Sequence, residues 1–525
     1  MTGDTRAIAR SGTEGEETTF STQTWVSATF ILIVTTLLSK ALGFVRDVLV
    51  ARYFGASAQV DAFLVAVTLP TLVGGVGFAL STAFIPAYRK ALAQGGLSEG
   101  RRLAGGSISV TLLISSLFIL IIILFANHFV RLLAPGLAPQ TLVLAAQLAR
   151  WLSLLVLGLN LFYMLGAVYN ALEHFKIPAF TDLISNVCVL LSLTLLSSAI
   201  GIRSLALGMI AGSLLVVILM SVPIVLRRVI SLNMNPWNAR VRQLVVLAAP
   251  VFMIEVLLQA VTVVENFFGA KLGPGNIAAL GFAKRLTVMV VSLLAINIAR
   301  AVFPVFSKLA SEKNLAEAKD LFVKLARQYA VAFVPASIAL MYFRDDVIRL
   351  AFVRGAFGIE AAAKTSAIFL YYSAGLALAA IVPIFIRACY AFSDTLTPLK
   401  AAALQLLAMG VLNYFLTPVL GVVGIPLSTS LALIPSLILM GGALAQRFGG
   451  LELATLLKAA LLAVVCGIAA LAPVAELHRW ARTSPRGVLQ LAFETTVYFI
   501  IYFGLGWFVM RQEVRALWRT LRRGS

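Results

Sequence analysis

What most constrains this chain is that runs of about 20 predominantly apolar residues follow one another from residue 25 to residue 511, with only short polar breaks. A stretch of that length crosses the hydrocarbon core as a helix, because in lipid each backbone N–H and C=O must be satisfied within its own segment. The fold class read from this pattern is an all-α polytopic membrane protein with about 14 transmembrane helices. Composition agrees, with 12% charged residues against about 25% in ordinary soluble proteins. An even number of spans places both termini on one side. Loops on that side carry about 24 Lys/Arg and those opposite about 11, the asymmetry that marks a cytoplasmic face. The first two dozen residues are polar, with no cleavable secretory signal in them.

The formal charge of +20 does not read as a nucleic-acid footprint, since its Lys and Arg are spread over many short loops. Cys188, Cys389 and Cys466 lie in apolar runs, and His128, His174 and His478 show no ligand spacing, so neither disulfides nor a metal site is expected. No HExxH, partnered GxSxG or Walker A loop is present, which argues against an enzyme. The glycines of 73-VGGVGF-78 fall inside an apolar span and read as close helix packing or a hinge.

The chain repeats itself. The run 52-RYFG…FIPAYRKALA-93 has a counterpart at 266-NFFG…VFPVFSKLA-310, and 169-YNALEHFKIPAF-180 has one at 390-YAFSDTLTPLKA-401. This divides the chain into a tail (1–24), a six-helix lobe (25–228), a second pseudo-symmetric six-helix lobe (229–447), two further C-terminal helices (448–512) and a basic tail (513–525). Transporters built from such copies hold their substrate between them.

Ionisable residues inside the spans are the informative ones, since each costs about 2.5–3.5 kcal/mol at a helix centre. In the first copy they are Lys40, Arg46, Asp47 and Asp61, with Arg52 near the span's end. In the second they are Glu255, Glu265, Lys284, Arg285, Arg300 and Arg387. Lys40 and Asp47, seven residues apart, fall on nearly one helical stripe. Arg285 and Arg300, fifteen apart, form a track along another helix. One reading pairs these charges internally, Arg46 or Lys40 with Asp61 and Lys284 or Arg285 with Glu265. The other starts from the excess of cations over carboxylates, which calls for an external anion, and Arg and Lys suit a phosphate or diphosphate.

With 38-LSKALGFVRDVLVARYFGASAQVDAFLVAVTLP-70, 178-PAF-180, 282-FAKRL-286 and 301-AVFP-304 in view, the sequence resembles the MurJ (MviN) lipid II flippases of the multidrug/oligosaccharidyl-lipid/polysaccharide exporter superfamily. The resemblance implies a V-shaped pair of lobes around a cationic cavity, with the two last helices forming a groove for a lipid tail. It implies lipid II, undecaprenyl-diphosphate carrying a disaccharide-pentapeptide, as substrate, moved from the inner to the outer leaflet of the bacterial cytoplasmic membrane. Other expected partners are membrane lipids and cell-wall synthesis proteins. Substrate contacts are implied for Arg46, Asp47, Asp61 and Arg285, and for Lys40 at an arginine position; the in-span charges Arg52, Lys284, Arg300 and Arg387 are expected to join them. No cofactor is expected; the resemblance implies the membrane potential and Na+ or H+ as energy source, with the ion at Glu255, Glu265 and Asn413. Two departures stand out. Lys40 replaces a usual arginine, and Gly74 and Gly75 stand where basic residues and a glutamate are usual. The alternatives are a flippase for another polyprenyl-diphosphate-linked oligosaccharide, a drug or metabolite exporter, and a non-transporting scaffold.

Overall fold

The computed structural model describes residues 25–174, 176–227, 229–230, 235, 238–480, 487–511 and 515. The expectations for residues 1–24 and, Arg515 apart, for residues 513–525 lie outside the described residues. What is described is helical. The first half comprises α1 (Trp25–Phe54), α2 (Ala58–Leu133), α3 (Pro139–Leu152), α4 (Leu154–Ala171), α5 (Lys176–Ile200) and α6 (Arg203–Leu226). The second half opens with α7 (Ala239–Ala270), α8 (Asn276–Val290), a π-helical turn (Val291–Ala295), α9 (Ile296–Ser311), α10 (Leu315–Tyr342) and the short α11 (Arg344–Phe352). It closes with α12 (Ile359–Ala374), α13 (Leu376–Ala391), α14 (Leu396–Leu420), α15 (Gly424–Leu431) and α16 (Leu433–Phe448). Two more helices follow, α17 (Leu453–Trp480) and α18 (Val488–Val509).

Among the described residues, ten helical stretches are long and apolar enough to cross a membrane. Two of them hold two crossings each. The helix Ala58–Leu133 turns back at Gly95 and Gly96, the latter at φ +65°, and the stretch Leu396–Phe448 reverses at Gly421, φ +63°. With α1 and the pair α12–α13, bent by 43°, the described residues supply the 14 crossings read from the sequence. Leu407, Val419 and Phe508 are 68%, 80% and 86% exposed on its outer surface, as lipid-facing side chains should be.

The internal repeat is visible in its turns. Glu173 and Ser393 both have φ +57°, a left-handed conformation that side chains seldom adopt. After each, the next amide closes on a carbonyl five residues back, His174 N on Tyr169 O and Asp394 N on Cys389 O, both at 3.0 Å. The two links therefore end their helices in the same way.

Packing differs between the two ends of the bundle. At the end carrying the α1–α2 turn, one apolar core joins both halves through Val60, Phe63, Ile277, Phe282, Phe352 and Phe357. Toward the opposite end the core divides in two, one around Phe84, Tyr88, Tyr169 and Met220 and the other around Phe306, Phe322, Phe385 and Phe448. The start of α7 packs with the first of these through Val241, Leu244 and Ala248. Beyond the shared core, the first-half cluster with α7 packed on it and the second-half cluster are separate. The glycines of α2 act as its packing joint. A β-carbon at Gly77 would lie 2.5 Å from the Asn160 Cα, and one at Gly75 would lie 3.0 Å from the Glu255 Cβ.

Candidate functional site

A cavity of about 590 Å³ lies between α1, α5, α7 and α8. Its charged lining is Lys40, Arg46 and Asp47 from α1, Asp182 from α5, and Lys284 and Arg285 from α8. Four cations against two carboxylates leave it a surplus of positive charge. On α1, Lys40, Gly43, Phe44 and Asp47 all face the cavity, the i, i+3, i+4, i+7 stripe of one helix face.

Asp47 organises the centre. Arg46 donates to its Oδ1 from Nε and Nη2, both at 3.1 Å, and Arg285 donates to the same oxygen from Nη1 across the gap between the halves. Two guanidiniums share one carboxylate, so one positive charge is left unmatched. Their side chains remain 24% and 39% exposed to the cavity, whereas that of Asp47 is 12% exposed. At an effective dielectric of about 20, a unit charge pair about 4 Å apart is worth about 4 kcal/mol, so the arrangement is electrostatically suited to an anion. Arg46 also donates from Nη1 to Asn186 Oδ1 at 3.4 Å. Asn186 in turn donates to the Ser39 carbonyl at 3.3 Å, fixing α5 against α1, and to the Asp182 carbonyl of its own helix at 3.0 Å. Beyond this trio lies a second cavity of about 210 Å³ lined largely by Val50, Val60, Phe63, Leu64 and Val67. Arg46, Asp47 and Arg285 line both cavities and so stand between them.

The other residues singled out in the sequence lie elsewhere. Asp61, fully buried, pairs with neither Arg46 nor Lys40. Its two oxygens accept from the Gly275 amide at 2.5 Å and the Ala278 amide at 2.6 Å, tying the start of α2 to the start of α8. Next to it, the Arg52 carbonyl accepts from the Ala356 amide at 2.8 Å, while the Arg52 side chain is outside both cavities. These two contacts close the α1–α2 end. Arg300 is exposed on α9, outside the lining of either cavity, so the track from Arg285 does not continue along this cavity. The Arg387 guanidinium stacks 5.4 Å from the Phe303 ring centroid. Glu255 is half-buried on α7 against Gly75.

Of the residues expected to hold a coupling ion, Glu265 and Asn413 already have partners. Glu265, 3% exposed, accepts from Lys284 Nζ at 2.6 Å on Oε2, and from the Tyr372 hydroxyl at 2.9 Å and the Thr429 hydroxyl at 3.3 Å on Oε1. Asn413 donates to the Met409 carbonyl at 2.8 Å and accepts from the Thr417 hydroxyl at 3.3 Å. A carboxylate neutralised by an ammonium, with both oxygens already on donors, does not fit a bound Na+. The expected internal pair of Lys284 with Glu265 is present, and Arg285 pairs with Asp47 instead.

Sequence reasoning passed over Asp182 and Asn186. Asp182 lies in the second turn of α5 and reads as a helix-end charge, yet Asp182, Ser185 and Asn186 share a helix face and all line the cavity. A polar stripe at i, i+3, i+4 in an apolar span was the available signal.

Comparison with known proteins adds the following. A family model described as "Lipid II flippase MurJ" matches residues 50–489. The "Probable lipid II flippase MurJ" of Bdellovibrio bacteriovorus is 25% identical over 521 residues, covering 94% of this chain and 97% of that protein. The "Lipid II flippase MurJ" of Burkholderia cenocepacia is 26% identical over 420 residues, covering 78% and 81%. Among solved structures, "Lipid II flippase MurJ, inward closed conformation" superposes with a TM-score of 0.78 at 22% identity, covering 92% of this chain and 99% of that one. An inward-facing multidrug resistance MATE family transporter of the MOP superfamily gives 0.64 at 14% identity, covering 81% and 98%.

Proposed function

The chain belongs to the lipid II flippase MurJ family, and from that premise we propose that it moves lipid II from the inner to the outer leaflet of a bacterial cytoplasmic membrane, with both termini cytoplasmic. The observation that carries this reading is the trio in which Arg46 and Arg285, from opposite halves, share Asp47. A diphosphate brings the negative charge that the trio lacks. It also offers oxygens on both sides, so that Lys40 and Arg46 on α1 and Arg285 on α8 grip it together.

Alternating access follows from where the contacts lie. The Asp61 and Arg52 contacts hold the α1–α2 end shut, so the headgroup enters from the opposite end, where the apolar core is divided, and rests against the trio. The prenyl chain stays in lipid beside α17 and α18. Rocking of the halves then breaks the Asp61 contacts and opens the smaller cavity. Outward movement of negative charge is favoured by an inside-negative potential, at about 2.3 kcal/mol per charge per 100 mV. The family is one of transporters.

The packing around Gly74 and Gly75 favours a second reading. Their faces are filled by Leu159, Phe252 and the Glu255 stem, so no basic side chain is presented there, and a different polyprenyl-diphosphate-linked glycan is the alternative cargo. Complementation of a bacterium depleted of its own lipid II flippase distinguishes the two. The lipid II reading expects restored arrival of lipid II at the outer leaflet, lost in Arg46→Ala and Arg285→Ala at equal protein level. Absence of restoration, with the protein verified in the membrane, transfers the assignment to the other glycan.

A further inference from the structure

We infer that the Lys284 ammonium is the resident cation of the pocket around Glu265, standing where the family resemblance places an exchangeable Na+, so that this chain binds no Na+ there. Four helices converge on the one carboxylate. Glu265 comes from α7, Lys284 from α8, Tyr372 from α12 and Thr429 from α15. A buried carboxylate within a membrane span requires a compensating cation or a proton, and Lys284 supplies the cation at 2.6 Å. The ammonium is tethered by its own helix, which gives it an effective concentration that a free ion does not reach. Its position is also supported by the Thr262 hydroxyl at 3.3 Å.

A metal ion added to this arrangement would bring a second positive charge against the ammonium with only one carboxylate between them. The remaining donors are unsuited to it as well. Tyr372 points its hydroxyl proton at Glu265, the Thr429 hydroxyl lies between the Ile425 carbonyl at 3.0 Å and Glu265 at 3.3 Å, and the Asn413 oxygen is engaged by Thr417. The pocket therefore has the architecture of a cation site whose cation is covalently part of the chain.

The inference does not depend on which lipid-linked cargo is carried, because its test reads cation binding and not transport. The melting temperature of the purified intact protein is measured at fixed ionic strength as NaCl replaces KCl. The expected result is a flat response in the parent protein. In Lys284→Met a saturable, Na+-specific rise of about 2 °C or more is expected, lost again in Lys284→Met with Glu265→Gln. A Na+-specific rise in the parent that Glu265→Gln removes would overturn the inference, as would a flat response in Lys284→Met. If Lys284→Met does not accumulate, the parent's titration decides by itself.

Discussion

Asp47 and Asp61 are both carboxylates placed in apolar helices by the sequence, and the structure gives them opposite tasks. Asp47 is surrounded by side-chain cations and faces a cavity; Asp61 accepts from main-chain amides and lies outside the lining of both cavities described. The difference was not legible in the sequence. Lys40, Arg46, Asp47 and Arg285 stand out because ionisable groups in lipid-length runs are conspicuous and helical spacing puts three of them on adjoining faces. The partners of Asp61 are amides of the α7–α8 turn, more than 200 residues away, and no side-chain pattern marks an amide. Asp61→Ala removes the acceptor of two buried N–H groups, each costing about 1–3 kcal/mol when left unpaired. Faster hydrogen exchange at Gly275 and Ala278 than in the parent is expected, while the exchange of α14 amides stays unchanged. Unaltered exchange at those two positions would show that Asp61 does not hold the α1–α2 end.

At the scale of elements, the long apolar helices were legible and their interruptions were not. The span from Asn276 to Ser311 carries a π-helical turn at Val291–Ala295 beside the cavity, to which Ser292 contributes. Such a turn disturbs the regular hydrogen-bond ladder, and the Ala295 carbonyl accepts from the Tyr329 hydroxyl of α10 at 2.6 Å. Leu/Val-rich sequence gives no sign of it, because the partner that stabilises the turn is on another helix. Tyr329→Phe is expected to lower unfolding stability by about 1 kcal/mol, read as a reduced midpoint in denaturant, with the apolar packing of the ring retained.

The link between α13 and α14 adds a pH dependence of its own. Burial alone would raise the Asp394 carboxyl. The Thr397 amide at 2.9 Å and hydroxyl at 2.7 Å, together with Arg447 at 3.0 Å, outweigh it and hold the group below the ordinary aspartate value. Because the folded value is the lower one, this contribution is complete above the ordinary aspartate value and disappears as pH falls through the lowered one. Asp394→Ala should therefore cost about 0.5–2 kcal/mol near neutral pH, and the difference from the parent should close in strong acid. A difference independent of pH would contradict the account.

For the whole molecule, the sequence revealed the repeat, the 14 crossings and the surplus of cations, all of which depend on periodicity and composition. What it could not reveal is how the halves meet, since that depends on contacts hundreds of residues apart: one shared core at the α1–α2 end, two cores at the other, and Asp47 joining α1 to α8. The same geometry shows where the surplus charge lies. Lys284 is neutralised by Glu265, whereas Arg46 and Arg285 have one carboxylate between them. The central claim is that this pair grips a diphosphate. It is tested most directly by titrating purified protein with lipid II and reading the bound fraction by native mass spectrometry, for the parent, Arg46→Ala and Arg285→Ala. Loss of a charge-assisted contact worth about 1.5–3 kcal/mol predicts affinity about 10-fold to 100-fold weaker in each variant; affinity equal to the parent's in both, with the fold intact, would contradict the account.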